Sequence, residues 1–156
     1  GGEDGLARGA AWMRGAEFVE RGPGVRQRTR SDCGAAALAH AMRRLGRPVP
    51  FPDPESGLPV AGGCTLPELV EEARRCGADA RAVRHDPLRP GRVRTPAVLF
   101  WRQGWIRPGH FVVLEGPAGA DSWSVFDPAV GRVRFSTRSL ARLWTGNALE
   151  FTVSGE

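Results

Sequence analysis

The stretch QRTRSDCGAAALAHAMRRLG, Gln27–Gly46, decides how the chain is to be read. Its first part is polar, and Ala35–Leu45 is a dense run of Ala and Leu, both strong helix formers. Ser31 and Asp32 fall where an N-cap belongs, and Gly46 stands where such a helix ends. Cys33 therefore lies in the first turn. Unpaired N–H groups at that end favour a thiolate over a thiol, so position alone makes Cys33 a nucleophile candidate. The ordinary alternative is a small buried residue that only packs. Cys64, in a loop before a helix, and Cys76, at a helix C-terminus, are read in that second way.

Outward from this helix the chain is legible as one α+β domain. Residues 1–24 are rich in Gly and charge and read as an arm, with a short helical stretch around Ala10–Val19. Arg47–Gly63 is a loop dense in Pro and Gly. Thr65, Pro67 and Glu68 spell a capping box that starts a second helix, which Gly77 stops near Cys76. Asp79–Val83 and Ala97–Trp101 read as strands, and Pro87–Arg94 as a loop. His110–Glu115 and Trp123–Phe126 read as an antiparallel pair joined through the turn Gly116–Gly119. A strand around Val130–Arg134, a short helix at Thr137–Leu143 and a closing strand at Ala148–Val153 complete the pattern. Helices precede strands, as in an α+β fold.

Composition excludes several classes. At 156 residues, 41% hydrophobic and 25% charged, the chain fits one globular domain. No apolar run is long enough to cross a bilayer, and the first residues lack the order of a signal peptide. The chain starts at Gly1, which is compatible with a removed targeting segment or partner domain. The net charge of +5 comes from 22 basic residues, all Arg, scattered along a chain without Lys or Tyr. Such scatter reads as solvated surface rather than a nucleic-acid face. Three cysteines without a CxxC pair argue against a disulfide framework and for a reducing compartment. His40, His85 and His110 do not fall at zinc-ligand spacings with them, so neither metal nor cofactor is expected.

A thiolate needs an acid to protonate the departing amine. His110, opening a strand after Pro108 and Gly109, is the best placed imidazole. His40 lies on the same helix as Cys33, and seven helical residues span roughly 10 Å, too far for a hydrogen bond. His85 reads as an exposed loop residue. Asp127 ends the strand paired with the one His110 opens, so it falls beside His110 and can fix the imidazole tautomer; alternatively it only starts a turn with Pro128. Developing negative charge on a carbonyl oxygen needs donors, for which the Cys33 N–H and the Gln27 side-chain amide are candidates.

Four motifs taken in order, Gln27 through Leu38, Gly109–Leu114, Phe126–Gly131 and Leu143–Leu149, resemble the bacteriocin-processing, double-glycine peptidase family. The resemblance covers about Val25–Val153. It implies a papain-like cysteine protease fold over residues 25–156, with N-terminal helices packed on a C-terminal antiparallel sheet. It further implies that Gln27 helps form the oxyanion hole, Cys33 attacks, His110 is base and then acid, and Asp127 orients His110. The implied reaction is removal of a leader after a Gly-Gly or Gly-Ala pair, the partner being a precursor peptide with an amphipathic leader helix. Many such domains begin an ATP-driven exporter. This chain carries no Walker motif, so it reads as a monomeric, cytoplasmic domain, either free-standing or excised from an exporter at the inner membrane face. Two departures are Ala37, where the family often has a second Cys, and the Pro-rich loop Arg47–Gly63. A leader-binding module without activity and a different thiol acyl transferase are the competing readings.

Overall fold

The computed structural model describes residues 16–20, 24–29, 32–59, 63–103 and 108–152. In chain order the elements are β1 (Ala16–Glu20), α1 (Cys33–Arg44), α2 (Leu66–Arg75), β2 (Asp79–Arg84), a 3-10 turn (Pro90–Arg92), β3 (Ala97–Gln103), β4 (Pro108–Gly119), β5 (Ser122–Asp127), β6 (Gly131–Ser136), α3 (Thr137–Leu143) and β7 (Trp144–Thr152). The seven strands form one sheet, ordered β1-β6-β5-β4-β3-β7-β2, and every neighbouring pair is antiparallel.

Strand alternation gives the sheet two apolar faces. Phe111 and Val113 of β4, with Phe126 of β5, face α1 and α2, where they pack on Ala37, Leu38, Met42, Leu69 and Ala73. Val112 and Leu114 take the opposite rows and join Val125, Val133, Leu140 and Trp144. A period of two sends neighbours to opposite faces, so one strand feeds both cores. Helix α1 owes its close seat to small side chains. Ala36, Ala37 and Ala41 are fully buried, which lets the helix backbone approach β4.

Side-chain caps start α2 and α3 but not α1. The Thr65 hydroxyl accepts the Glu68 N–H at 3.3 Å while the Glu68 carboxylate accepts the Thr65 N–H at 2.8 Å, closing the box. Ser136 caps α3 through the Ser139 N–H at 3.2 Å. Asp32 stands at the N-cap of α1 but makes no side-chain cap bond. Its carboxylate turns back to accept the N–H groups of Arg28 and Thr29 at 3.0 Å. Ser31 lies outside the described residues.

Three expectations need correction. Ala16–Glu20, read as part of an arm that includes a helical stretch, is an edge strand registered against β6, with Ala16 opposite Phe135. The pairing is set by a partner more than a hundred residues away, which no local window can see. Residues 1–15, including most of the expected helical stretch, lie outside the described residues. The expected turn Gly116–Gly119 is instead the bulged end of β4, so the reversal falls at Ala120 and Asp121. Finally, β7 begins at Trp144, where a helix directly enters the strand.

One buried charge cluster joins α1 to the sheet. Glu115, on β4, accepts from Arg132 Nε at 2.6 Å and Nη2 at 2.9 Å, from His40 at 2.8 Å and from Ser124 Oγ at 3.1 Å. Arg44 closes the group at 3.2 Å. Burial opposes ionisation of Glu115, but Arg132, His40 and Arg44 outweigh it and hold its carboxyl well below the usual carboxylate range. A depressed folded pKa stabilises above the unfolded value near 4.3 and is lost as pH falls toward the folded one. Glu115→Ala is expected to lower stability at pH 7 by about 3–5 kcal/mol, because it removes the buried carboxylate on which Arg132, Arg44 and His40 converge. In urea melts, the gap from the wild type should narrow between pH 7 and pH 3.5.

Candidate active site

Cys33 is the first residue of α1, and β4 runs beneath that end of the helix. The close approach has a steric condition at Gly34. A Cβ built there would lie 2.4 Å from Cys64 Sγ and 3.2 Å from the Phe111 ring, so any side chain would push the first turn off the sheet. Cys64 thus fills space beside the helix start, consistent with the packing role read from the sequence. Cys76 packs against the same core.

His110 enters from β4 and Asp127 from the end of β5. Val113 pairs with Phe126, and continuing that register sets Asp127 opposite Val112, two residues along from His110. The side chains meet: His110 Nε2 lies 2.7 Å from Asp127 Oδ1. Asp127 Oδ1 also accepts the Ala129 N–H at 2.8 Å, so the turn itself aims the carboxylate. Asp127 therefore initiates the turn and pairs with His110, joining the two alternatives. With Nε2 committed to Asp127, Nδ1 is the ring nitrogen left to interact with the Cys33 thiol. His110 and Asp127 are buried, and Cys33 is half-buried. The Trp101 ring stands edge-on to His110 with centroids 6.1 Å apart, one strand over in β3, and screens the imidazole.

The charges follow from this geometry. Burial disfavours the Cys33 thiolate, yet the hydrogen bond and charge of His110, with the Phe111 backbone, pull the thiol below its ordinary range. Burial likewise disfavours the imidazolium, but Asp127 and then Cys33 reverse this and raise His110 to about 10. Both shifts favour a thiolate–imidazolium pair over the neutral thiol and imidazole. Cys64 goes the other way, pushed up to about 12 by burial and by the neighbouring Cys33 charge. Burial also raises Cys76.

Gln27 sits on a strap, residues 24–27, that crosses the end of β5. Its backbone N–H donates to Pro128 O at 3.0 Å. The side-chain Nε2 donates to Thr29 O at 2.8 Å, which fixes the amide and leaves a second N–H to donate elsewhere. Its Oε1 is buried without a partner. Arg26 anchors the same strap, donating from Nε to Pro128 O at 3.0 Å and from Nη2 to Ala129 O at 2.7 Å. Asp32 supports the strap's continuation through its bonds to Arg28 and Thr29. Gln27, Cys33, His110 and Asp127 carry signals in the sequence, whereas Arg26 and Trp101 carry none. Asp32 has a local signal, which points to capping.

The other histidines are engaged elsewhere. His85, expected to be exposed, is half-buried and bonded to Glu150 at 2.5 Å, the partner lying 65 residues away. His40 belongs to the Glu115 cluster. Asp53, Glu72 and Cys76 converge, and Arg75 occupies the group, reaching Asp53 at 2.5 Å and Glu72 at 2.8 Å.

A thiol at a helix N-terminus, an imidazole from an antiparallel strand and a carboxylate from its neighbour define the thiol peptidase class with a papain-like fold. The model of the Peptidase C39 family matches residues 21–155, and the chain belongs to that family as a cysteine peptidase domain. It is 28% identical over 143 residues to the probable functional amyloid protease FapD of Pseudomonas aeruginosa, covering 85% of this chain. The chain spans 60% of that relative's length. Among solved structures, the double glycine motif protease from an AMS/PCAT transporter, in complex with the leader peptide, superposes with a TM-score of 0.71 at 26% identity. That match covers 87% of this chain and 96% of the other. The peptidase domain of Streptococcus ComA, a bifunctional ABC transporter of a quorum sensing pathway, gives 0.72 at 25% identity, covering 82% and 96%. Among the described residues, no helix is long and apolar enough to cross a membrane.

Iodoacetamide at pH 7 is expected to modify Cys33 at least tenfold faster than Cys64 or Cys76, read by peptide mass mapping, because the Cys33 thiol is pulled below its ordinary range while the other two are pushed above it. The alkylation rate of Cys33 should fall off at lower pH than those of Cys64 and Cys76. Replacing His110 by Ala should abolish this preference.

Proposed function

We propose that the domain is an endopeptidase that removes the leader from a precursor peptide after a Gly-Gly or Gly-Ala pair. The observation that carries the proteolytic part is the His110–Asp127 hydrogen bond beside Cys33 at the start of α1. The substrate class is supported by the likeness to a double glycine motif protease in complex with its leader peptide.

In this reading the Cys33 thiolate attacks the scissile carbonyl carbon, forming the S–C bond and moving the carbonyl electrons onto oxygen. The Cys33 N–H and the free N–H of Gln27 stabilise that oxyanion. As the C–N bond breaks, the imidazolium of His110 gives its proton to the departing amine, leaving a thioester. Neutral His110 then takes a proton from water, whose oxygen attacks the thioester and releases the leader acid. The proton returned to His110 restores the pair. Asp127 holds the ring oriented and stabilises its charged form without itself transferring a proton.

Leader recognition is assigned to an apolar pocket of about 400 Å³ between α1 and the Pro-rich loop. Leu38, Val49, Phe51 and Leu58 line it, and Thr29 and Asp32 bring it next to the helix start. An amphipathic helix docks by apolar anchors, and such a pocket takes one of them. The Pro-rich loop, a departure from the family pattern, supplies several of these residues. Exporter association and a cytoplasmic location belong to this same reading.

Cys33→Ala is expected to abolish cleavage of a Gly-Gly leader peptide while leaving its binding within about twofold; residual cleavage would end the proposal. Asp127→Ala should lower kcat by at least about a hundredfold with a smaller change in KM. Leu58→Asp should raise KM about tenfold or more at nearly unchanged kcat, as loss of uniform binding requires.

A further inference from the structure

His40 lies two turns into α1 from Cys33 and has no part in the chemistry above. It is 2% exposed, and its ring is engaged on its edges and on a face. Nδ1 accepts the Val25 N–H at 3.3 Å. Nε2 meets Glu115 Oε2 at 2.8 Å. The ring stacks on Phe126, with centroids 3.8 Å apart and planes within 7°. A backbone N–H only donates, so Nδ1 holds a lone pair and the ring proton sits on Nε2, where it points to the carboxylate. Glu115 in turn is locked by Arg132, Arg44 and Ser124.

These contacts connect every piece that carries a site residue. His40 shares a helix with Cys33. Phe126 immediately precedes Asp127, and Glu115 stands on the strand that begins near His110. Val25 belongs to the strap bearing Gln27. The strap is thus pinned at two points, Val25 on His40 and Gln27 on Pro128, with Arg26 bonded between them. Gly24 lies over the stacked pair: a Cβ there would fall 2.4 Å from Phe126 Cε2 and 3.1 Å from His40 Cε1. The strap rests on the two rings with no clearance.

We infer that His40 is a positioning residue for acyl transfer: its Nδ1 seats the strap Gly24–Gln27 and so sets where the Gln27 amide is presented to the developing oxyanion. The inference rests on the reading of Gln27 as an oxyanion donor. A histidine that merely filled the core would, when replaced, lower stability and leave the rate of folded molecules unchanged.

Three substitutions separate these roles. His40→Phe keeps a ring against Phe126 and removes both polar contacts, whereas His40→Asn keeps an acceptor close to the Nδ1 position. Gly24→Ala lifts the strap without altering His40. Each is measured with p-nitrophenyl acetate, which needs a thiolate and an oxyanion site but no leader, and with a Gly-Gly leader peptide. Rates are expressed per Cys33 titrated by iodoacetamide, so unfolded molecules do not count.

His40→Phe and Gly24→Ala should each lower kcat by about tenfold to a hundredfold, short of or equal to loss of one oxyanion donor, with KM and the Cys33 alkylation rate within about twofold. His40→Asn should recover most of the loss. In a Gln27→Ala background, His40→Phe should cost less than about twofold more, since both act through one group. Unchanged kcat in His40→Phe and Gly24→Ala, or losses from His40→Phe and Gln27→Ala that multiply, would overturn the inference. Should His40→Phe fail to fold, Gly24→Ala and His40→Asn decide the matter. If the wild type hydrolyses the ester but leaves the leader peptide intact, the substrate reading falls alone and the ester series still decides the role of His40.

Discussion

The 2.7 Å bond between His110 Nε2 and Asp127 Oδ1 ties the beginning of β4 to the end of β5. It exists only while the two strands keep the register that pairs Val113 with Phe126, since a slip of one residue would send Asp127 to the other face. Once Nε2 is committed to that carboxylate, the ring can offer only Nδ1 to a thiol. The ring orientation, its raised pKa and the lowered pKa of Cys33 all descend from this register. The turn Asp127–Pro128–Ala129 is used a second time, because Pro128 O and Ala129 O receive the strap that carries Gln27.

The thiol reaches this pair through the smallness of its surroundings. Ala36, Ala37 and Ala41 remove side-chain bulk along the buried face of α1, and Gly34 removes it at the first turn, where Cys64 and Phe111 close in. Helix propensity and close packing here make the same demand, and Ala meets both. The unpaired N–H groups of the helix start then face the charge that the imidazole generates. On the far side, Glu115 collects Arg132, Arg44 and His40 and secures α1 to β4 and β6. Cys33, His110 and Asp127 occupy one end of this assembly, supported by a buried network that reaches two helical turns away.

How much could be read from the chain follows from the range of each interaction. The helices α1 and α2 were legible because their caps and stops are local: Thr65 and Glu68 are three residues apart. Cys33, His110 and Asp127 were legible because a helix start and a hairpin are short-range features that already place reactive side chains. Residues 16–20 were misread because their partner strand lies at 132–135, and His85 was misread because Glu150 is 65 residues distant. Arg26 and His40 stayed silent for the same reason. Their partners, Pro128 and Glu115, are 102 and 75 residues away, and a lone Arg or His in a sequence gives no sign of them. Asp32 is a different case. Its local signal was correct as to position and mistaken as to bonding, since its carboxylate found the N–H groups of Arg28 and Thr29 before those of the helix.

The central claim is that Cys33 becomes acylated by the leader, and intact-mass spectrometry tests it most directly. A leader peptide ending in a Gly-Gly thioester acylates faster than water can remove the acyl group, so the intermediate accumulates before an acid quench. A mass gain equal to the leader acid minus water, mapped to Cys33, is the predicted result. Turnover without an adduct, or an adduct on Cys64 or Cys76, would contradict the account.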